Sequence, residues 1–202
     1  PLTPAGQEAP VKRKLGANSW EDRHIWERCV TRGGMPNAMV PRFYNNNMQI
    51  LQAPGYVVIL LEQIHEARII PTDGRPHLPQ GTRQWLGDSR GRWDGDSLVV
   101  ETTELAEKAS SLQPWASFSS VSGSGVGMQI TERFTRVDAN EIAYRMTVND
   151  PQMYTKPWTV AFPMRKTEEL IYEYACHEGN YGLEGILKGG RAGDSKAGGD
   201  RE

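Results

Sequence analysis

Glu132 stands between Ile130 and Phe134 in Gln129–Arg136, an alternating run whose apolar members share one face. A carboxylate on such a face must be paired or protonated, because an isolated charge in an apolar interior costs several kcal/mol. One reading is an internal ion pair with Arg68 or Arg92; the other is a general acid/base with a raised pKa. Three histidines fall at segment ends: His65 just beyond Glu62 and Gln63, His77 in a Gly-Arg-Pro-His-Leu-Pro loop, and His177 in Cys-His-Glu-Gly-Asn. If the ends of strands gather at one mouth, His65, His77 and His177 meet there, with Glu173 beside His177. Three imidazoles and a carboxylate suit zinc or another divalent metal, the cofactor these residues suggest. Their spacing matches no recognised ligand pattern, and hydrogen-bonded structural histidines are the alternative. As an acid–base set, His65 or His177 serves as base, with Glu132, Glu62 or Glu173 orienting it or donating a proton. His24 is expected at the surface. Tyr44-Asn45-Asn46-Asn47 offers amides to a sugar-like or carboxylate ligand, or forms a turn. The candidate ligand contacts are Tyr44, Asn46, Arg68, Trp85, Tyr144, Trp158 and Glu173.

The common alternatives are missing. The chain has no phosphate-binding glycine loop ending in Lys-Ser/Thr, no strand-linked G-x-G-x-x-G, no H-E-x-x-H, no paired C-x-x-C and no G-x-S-x-G elbow. A net charge of −2, from 23 basic and 25 acidic residues, argues against a nucleic-acid surface despite Arg90 and Arg92. No apolar run approaches the roughly 20 residues of a membrane span.

Positioning these groups falls to strands. Trp20–Thr31 carries Trp20, Ile25, Trp26, Cys29 and Val30 near helical spacing, which predicts a short N-terminal helix. From Asn47 onward the pattern alternates. Tyr56–Gln63 is the strongest strand, apolar on both faces, and Glu66–Ile70 comes next. Arg90–Trp93 and Ser97–Thr103 flank Asp94-Gly95, a hairpin pair. Gln129–Arg136 with Glu141–Asn149, and Trp158–Arg165 with Leu170–Cys176, read as two more hairpins. Tyr144, Trp158, Phe162 and Tyr172 or its neighbours are assigned to the interior. A meander with one apolar and one wet face is expected to curl into an antiparallel β-barrel with an enclosed pocket.

Within the 202 residues, 1–18 read as a linker, 19–188 as the barrel domain and 189–202 as a disordered tail. Leu105–Gly127, Ser/Gly-rich with Trp115 and Phe118, is either a lid or disordered. Cys29 and Cys176 either close a loop worth about 5 kcal/mol or remain buried thiols. Pro1 stands where an initiator Met would, so an upstream segment is expected to have been removed or left out.

Tyr44–Asn47, Tyr56–His77, Arg83–Thr103, Glu132–Asp138 and Ile171–Asn180 together resemble an uncharacterised group of predicted exported bacterial proteins. The resemblance spans about residues 20–190. It implies a lipocalin-like barrel and a secreted or periplasmic location. It also implies longer relatives, with a signal peptide and a further N-terminal segment, so that this chain would lack a first strand. It brings no activity, and the Leu105–Gly127 insert is longer here than in the group.

These residues leave three functions open. The first is a barrel binding a small, partly apolar molecule. The second is a lyase, isomerase or hydrolase acting on a carbohydrate-like or other small polar substrate by His/Glu chemistry, metal-assisted or not. The third is a structural protein self-associating through edge strands.

Overall fold

The computed structural model describes residues 2–12, 16–41, 44–107 and 125–199. The protein is mainly β, in two antiparallel sheets. The first holds β1 (Met48–Ala53), β2 (Tyr56–Leu61) and β3 (Ala67–Pro71). The second holds β4 (Asp88–Asp94), β5 (Ser97–Thr103), β6 (Gln129–Arg136), β7 (Glu141–Asn149) and β8 (Trp158–Arg165), in chain order.

Side-chain parity falls as the alternation requires. Ile130, Glu132 and Phe134 on β6, with Tyr144, Met146 and Val148 on β7, are buried. Trp158, Val160, Phe162 and Met164 of β8 pack on the same core, half-buried, while Val57, Ile59 and Leu61 of β2 face it from the other sheet. A slip of one residue in any of these strands would carry its apolar set to water. At the β4–β5 hairpin Asp94 pairs with Ser97, so the loop is Gly95-Asp96, and Gly95 takes a φ of 57° that suits glycine.

Neither sheet closes into a barrel. Strand β3 comes against β4 without a shared ladder. There Gly91 lets the sheets meet, because a Cβ on it would lie 2.9 Å from Thr72 Cγ2 and 3.0 Å from Ile70 Cγ2. On the other side β1 and β8 are edges without a strand partner among the described residues, leaving a seam between the sheets. Pro163 lies on the β8 edge, where the missing N–H costs no ladder bond.

Several expectations are corrected. Leu170–Cys176 forms no strand: after Arg165 the chain leaves the sheet to reach the disulfide between Cys176 and Cys29, and Tyr172, assigned to the interior, is 69% exposed. The short N-terminal helix is α1 (Pro4–Lys12), inside the segment read as a linker; the Thr3 N–H bonds the Met153 carbonyl at 3.0 Å. Trp20–Thr31 holds only a 3-10 turn at Trp20–Asp22, capped by Ser19 and Asp22, and then irregular turns in which Cys29 has a φ of 56°. His24 is buried, its Nδ1 accepting from the Trp26 N–H at 3.0 Å. The tail expected to be disordered is helical to Gly199 in α2 (Tyr181–Gly199), where Asn180 Oδ1 accepts from the Leu183 N–H at the first turn and Glu184 pairs with Lys188. Trp115 and Phe118, with the lid they suggested, lie outside the described residues.

Candidate functional site

Glu132 and Arg68 meet at the centre of the molecule. Arg68 Nη1 and Nη2 donate to the two carboxylate oxygens at 3.0 and 2.6 Å, a bidentate pair whose side chains are 1% and 0% exposed. Tyr144 donates to Glu132 Oε1 at 2.7 Å; Ser89 and Thr102 hydroxyls accept from Arg68 Nη2 at 3.2 and 3.4 Å. Burial, followed by the Glu132 charge, pushes the Tyr144 hydroxyl well above its ordinary pKa, so it stays a donor. For Arg68, burial favours the neutral form, but Glu132's charge and hydrogen bonds outweigh it and raise the pKa. Arg68 comes from β3 and its hydrogen-bond partners from β4, β5 and β6, while Tyr144 of β7 bonds Glu132. The pair is thus a rivet between the sheets, sealed from solvent, and Arg92 pairs instead with Glu101 at the surface, 3.7 Å away.

The histidines do not converge. Among the described residues no three His, Cys, Asp or Glu side chains form a group able to hold a metal, so the metal site expected from His65, His77 and His177 is not assembled. His65, at a tight turn with φ 50°, accepts from the Tyr174 N–H at 3.0 Å. His77 Nδ1 lies 2.7 Å from Asp88, which also pairs with Arg90 and accepts from the Leu78 N–H; this anchors the Pro76–Pro79 loop. His177 lies in an exposed turn ahead of α2. Glu62 is buried and accepts from the Asn47 N–H at 3.2 Å.

A second polar cluster lies under the seam. Thr31–Met39 is a fully buried loop, so its backbone groups need partners inside the protein. Arg32, 1% exposed, donates to Gln63 Oε1 at 2.7 Å, the Ala38 carbonyl at 2.8 Å and Asn46 Oδ1 at 2.7 Å. Glu66 Oε2 accepts from the Thr31 hydroxyl and the Arg32 N–H. Burial raises the Glu66 pKa above 4.5 despite these bonds and the charges of Arg68 and Arg32. The folded protein therefore binds this proton more tightly than the unfolded chain does. Its contribution to stability is fully present below pH 4.5 and is lost as pH rises through the raised value. Glu66→Gln, which keeps an acceptor, is expected to raise the melting temperature near neutral pH and to change it little below pH 4.5. Thermal scans across that range check the sign; a loss of stability at neutral pH would show that the charge is the favoured form.

The seam opens into a cavity of about 980 Å³. Its floor is Val57, Ile59, Leu98 and Phe134, all buried, and its walls include half-buried Met48, Ile50, Ile142 and Met164. An open cleft thus takes the place of the expected enclosed pocket, because the sheets part at β1 and β8. Neither His65 nor His177 lines it. Of the candidate ligand contacts, Tyr144 and Arg68 belong to the rivet and Asn46 to the Arg32 cluster. Trp158 packs edge-on against Tyr154, and Trp85 is 38% exposed. Tyr44 and Glu173 border a separate hollow beside the disulfide. Sequence reasoning missed the β1 and β2 lining and Arg32. The alternation of Met48, Ile50 and Gln52 carried that signal, but no local pattern sets β1 opposite β8.

Comparison with protein-family models, with curated proteins and with solved structures returns no match. Among the described residues no helix is long and apolar enough to cross a membrane.

Proposed function

We propose that this protein binds a small, partly apolar molecule in the cleft between its two sheets. The observation that carries the reading is the cavity of about 980 Å³ floored by apolar side chains from both sheets. Ligand sites of this kind are concave, mostly apolar and built at such junctions, with polar groups at the margin. An exported location is part of the proposal, supported by the Cys29–Cys176 disulfide, since such bonds persist in oxidising compartments. A relation to lipocalin-like barrels is also part of it, supported by the consecutive β4–β8 meander. Acid–base catalysis has less support, because Glu132 is held by Arg68 and Tyr144 rather than by a histidine. Edge-strand assembly is disfavoured at β8 by Pro163.

An uncharged naphthylamine dye, bright in apolar surroundings, is expected to bind saturably at one site per chain. Ile50→Trp and Ile142→Trp, which fill the mouth from opposite sheets, are each expected to weaken it by about tenfold or more. Unchanged affinity in both variants, with native circular dichroism, would place the dye elsewhere and reject the cleft.

A further inference from the structure

We propose that the ligand of this cleft is an uncharged molecule built on a planar aromatic ring system, held between the Trp93 indole at the mouth and Phe134 on the floor. The inference rests on the binding reading above and names the class of molecule. Directly opposed residues of neighbouring strands point to one face. Register therefore sets Trp93 of β4, Leu98 of β5, Phe134 of β6, Tyr144 of β7 and Phe162 of β8 in one row across the second sheet. That row faces the core: Leu98, Phe134 and Tyr144 are buried, and the rings of Phe134, Tyr144 and Phe162 follow one another at centroid distances of 4.8 and 5.0 Å.

The row ends in a side chain whose burial does not match its position. Trp93 has the parity of these buried neighbours yet is 51% exposed, and among the described residues its indole makes no hydrogen bond and no ring contact. The cause lies two residues back on the same face. At Gly91 the sheets touch, since a Cβ there would lie 2.9 Å from Thr72 Cγ2 and 3.0 Å from Ile70 Cγ2, and β3 ends at Pro71. Past that contact Trp93 borders the cavity of about 980 Å³ instead. Trp93, Leu98 and Phe134 give the cavity one wall, and Ile50, Val57 and Ile59 of the first sheet give it the other.

Leu98 is the one aliphatic member of a row that is otherwise aromatic, and it stands between the two rings that line the cavity. A flat ring lying over Leu98 meets the Trp93 indole on one side and the Phe134 ring on the other. Ring pairs in edge-to-face or offset contact gain more than the area they bury, so a saturated molecule of the same skeleton gains the area alone. Charge selects no ion here. The lining sets Arg136, Arg165 and Lys166 against Asp96, Asp138 and Glu141, and Arg165 lies 3.5 Å from Glu141. An ion drawn into the apolar slot would lose its hydration and meet no net counter-charge.

The test measures displacement of the uncharged dye by naphthalene-methanol, by decalin-methanol, its fully saturated analogue, and by naphthoate. The two alcohols share a skeleton and a hydroxyl, and the saturated one presents more apolar surface, so area alone favours it. The aromatic alcohol is nevertheless expected to bind about fivefold or more tighter than the saturated one, and tighter than naphthoate. In Trp93→Leu, whose exposed position leaves the core untouched, that ratio is expected to fall about threefold or more, through loss of affinity for the aromatic alcohol. Trp93→Phe, which keeps a ring, is expected to retain more of the ratio than Trp93→Leu. Equal or reversed affinities for the two alcohols in the native protein overturn the ring inference and leave the cleft reading standing. So does a ratio that Trp93→Leu leaves unchanged or that Trp93→Phe lowers as far, and so does failure of both alcohols to displace a dye that binds. Naphthoate binding tighter than the aromatic alcohol overturns the assignment of an uncharged ligand. Failure of the dye and of both alcohols to bind overturns both readings.

Discussion

Arg68→Met is expected to lower the free energy of unfolding by about 3–5 kcal/mol, because it leaves Glu132 buried at the sheet junction with its counter-charge removed. The side chains of the pair are 1% and 0% exposed, so water cannot take over the lost bonds. Tyr144 would remain as a single donor at 2.7 Å. The loss is a penalty for an orphaned charge and does not measure the worth of the pair. Arg68 Nε finds no hydrogen-bond partner among the described residues, so even the intact network carries an unsatisfied donor. The triple variant Arg68→Met/Glu132→Leu/Tyr144→Phe is therefore expected to recover most of the stability. Arg133 and Asp94 make an ion pair of similar length, 2.5 Å, at the surface, with side chains 42% and 54% exposed. Arg133→Met is expected to move the denaturation midpoint only slightly, since solvent screens that pair. Denaturant titration of the three variants reads all three outcomes. Near-equal losses for Arg68→Met and Arg133→Met would mean that water reaches the rivet and that it does not join the sheets as described.

Reduction of the Cys29–Cys176 disulfide is expected to cost about 5 kcal/mol on the chain-entropy account, a large share of the stability of a single domain. The bond spans a sequence separation of 147 residues, so it constrains most of the unfolded chain. Locally it holds the segment after β8, which has no strand pairing. Other ties there include the Tyr174 N–H to His65 Nδ1 at 3.0 Å, the Tyr44 and Tyr174 hydroxyls at 3.4 Å, and Asn180 Nδ2 to the Glu27 carbonyl at 2.7 Å. Reductant should lower the denaturation midpoint of the native protein and leave that of Cys29→Ser/Cys176→Ser unchanged, already low. Hydrogen exchange should speed up first between Lys166 and Cys176. A native protein indifferent to reductant would show that the bond does not form in solution, and the oxidising location proposed here would lose its support.

The strands of the second sheet were legible because parity is a local property. Gln129–Arg136, Glu141–Asn149 and Trp158–Arg165 carry their period in the residues themselves, and their observed bounds coincide with the predicted ones. Glu132 also declared itself, since a carboxylate at an inward position demands a partner, and Arg68 was one of two named.

The path of the chain after Arg165 was not legible. Leu170–Cys176 has strand-like composition, yet a strand forms only where a neighbouring edge accepts its hydrogen bonds, and here the disulfide and His65 draw the segment away. The same limit governs the histidines. Their positions at segment ends were visible, but whether His65, His77 and His177 share a mouth depends on how the two sheets are placed. The sequence alone determined which faces are apolar and that one buried carboxylate needs a cation. Tertiary structure alone decided that the sheets part at β1 and β8, and hence where a cavity lies. Alternation is set by each strand's own backbone, whereas closure depends on distant edges meeting, and residues 31–39 fill the interior at one end of the seam.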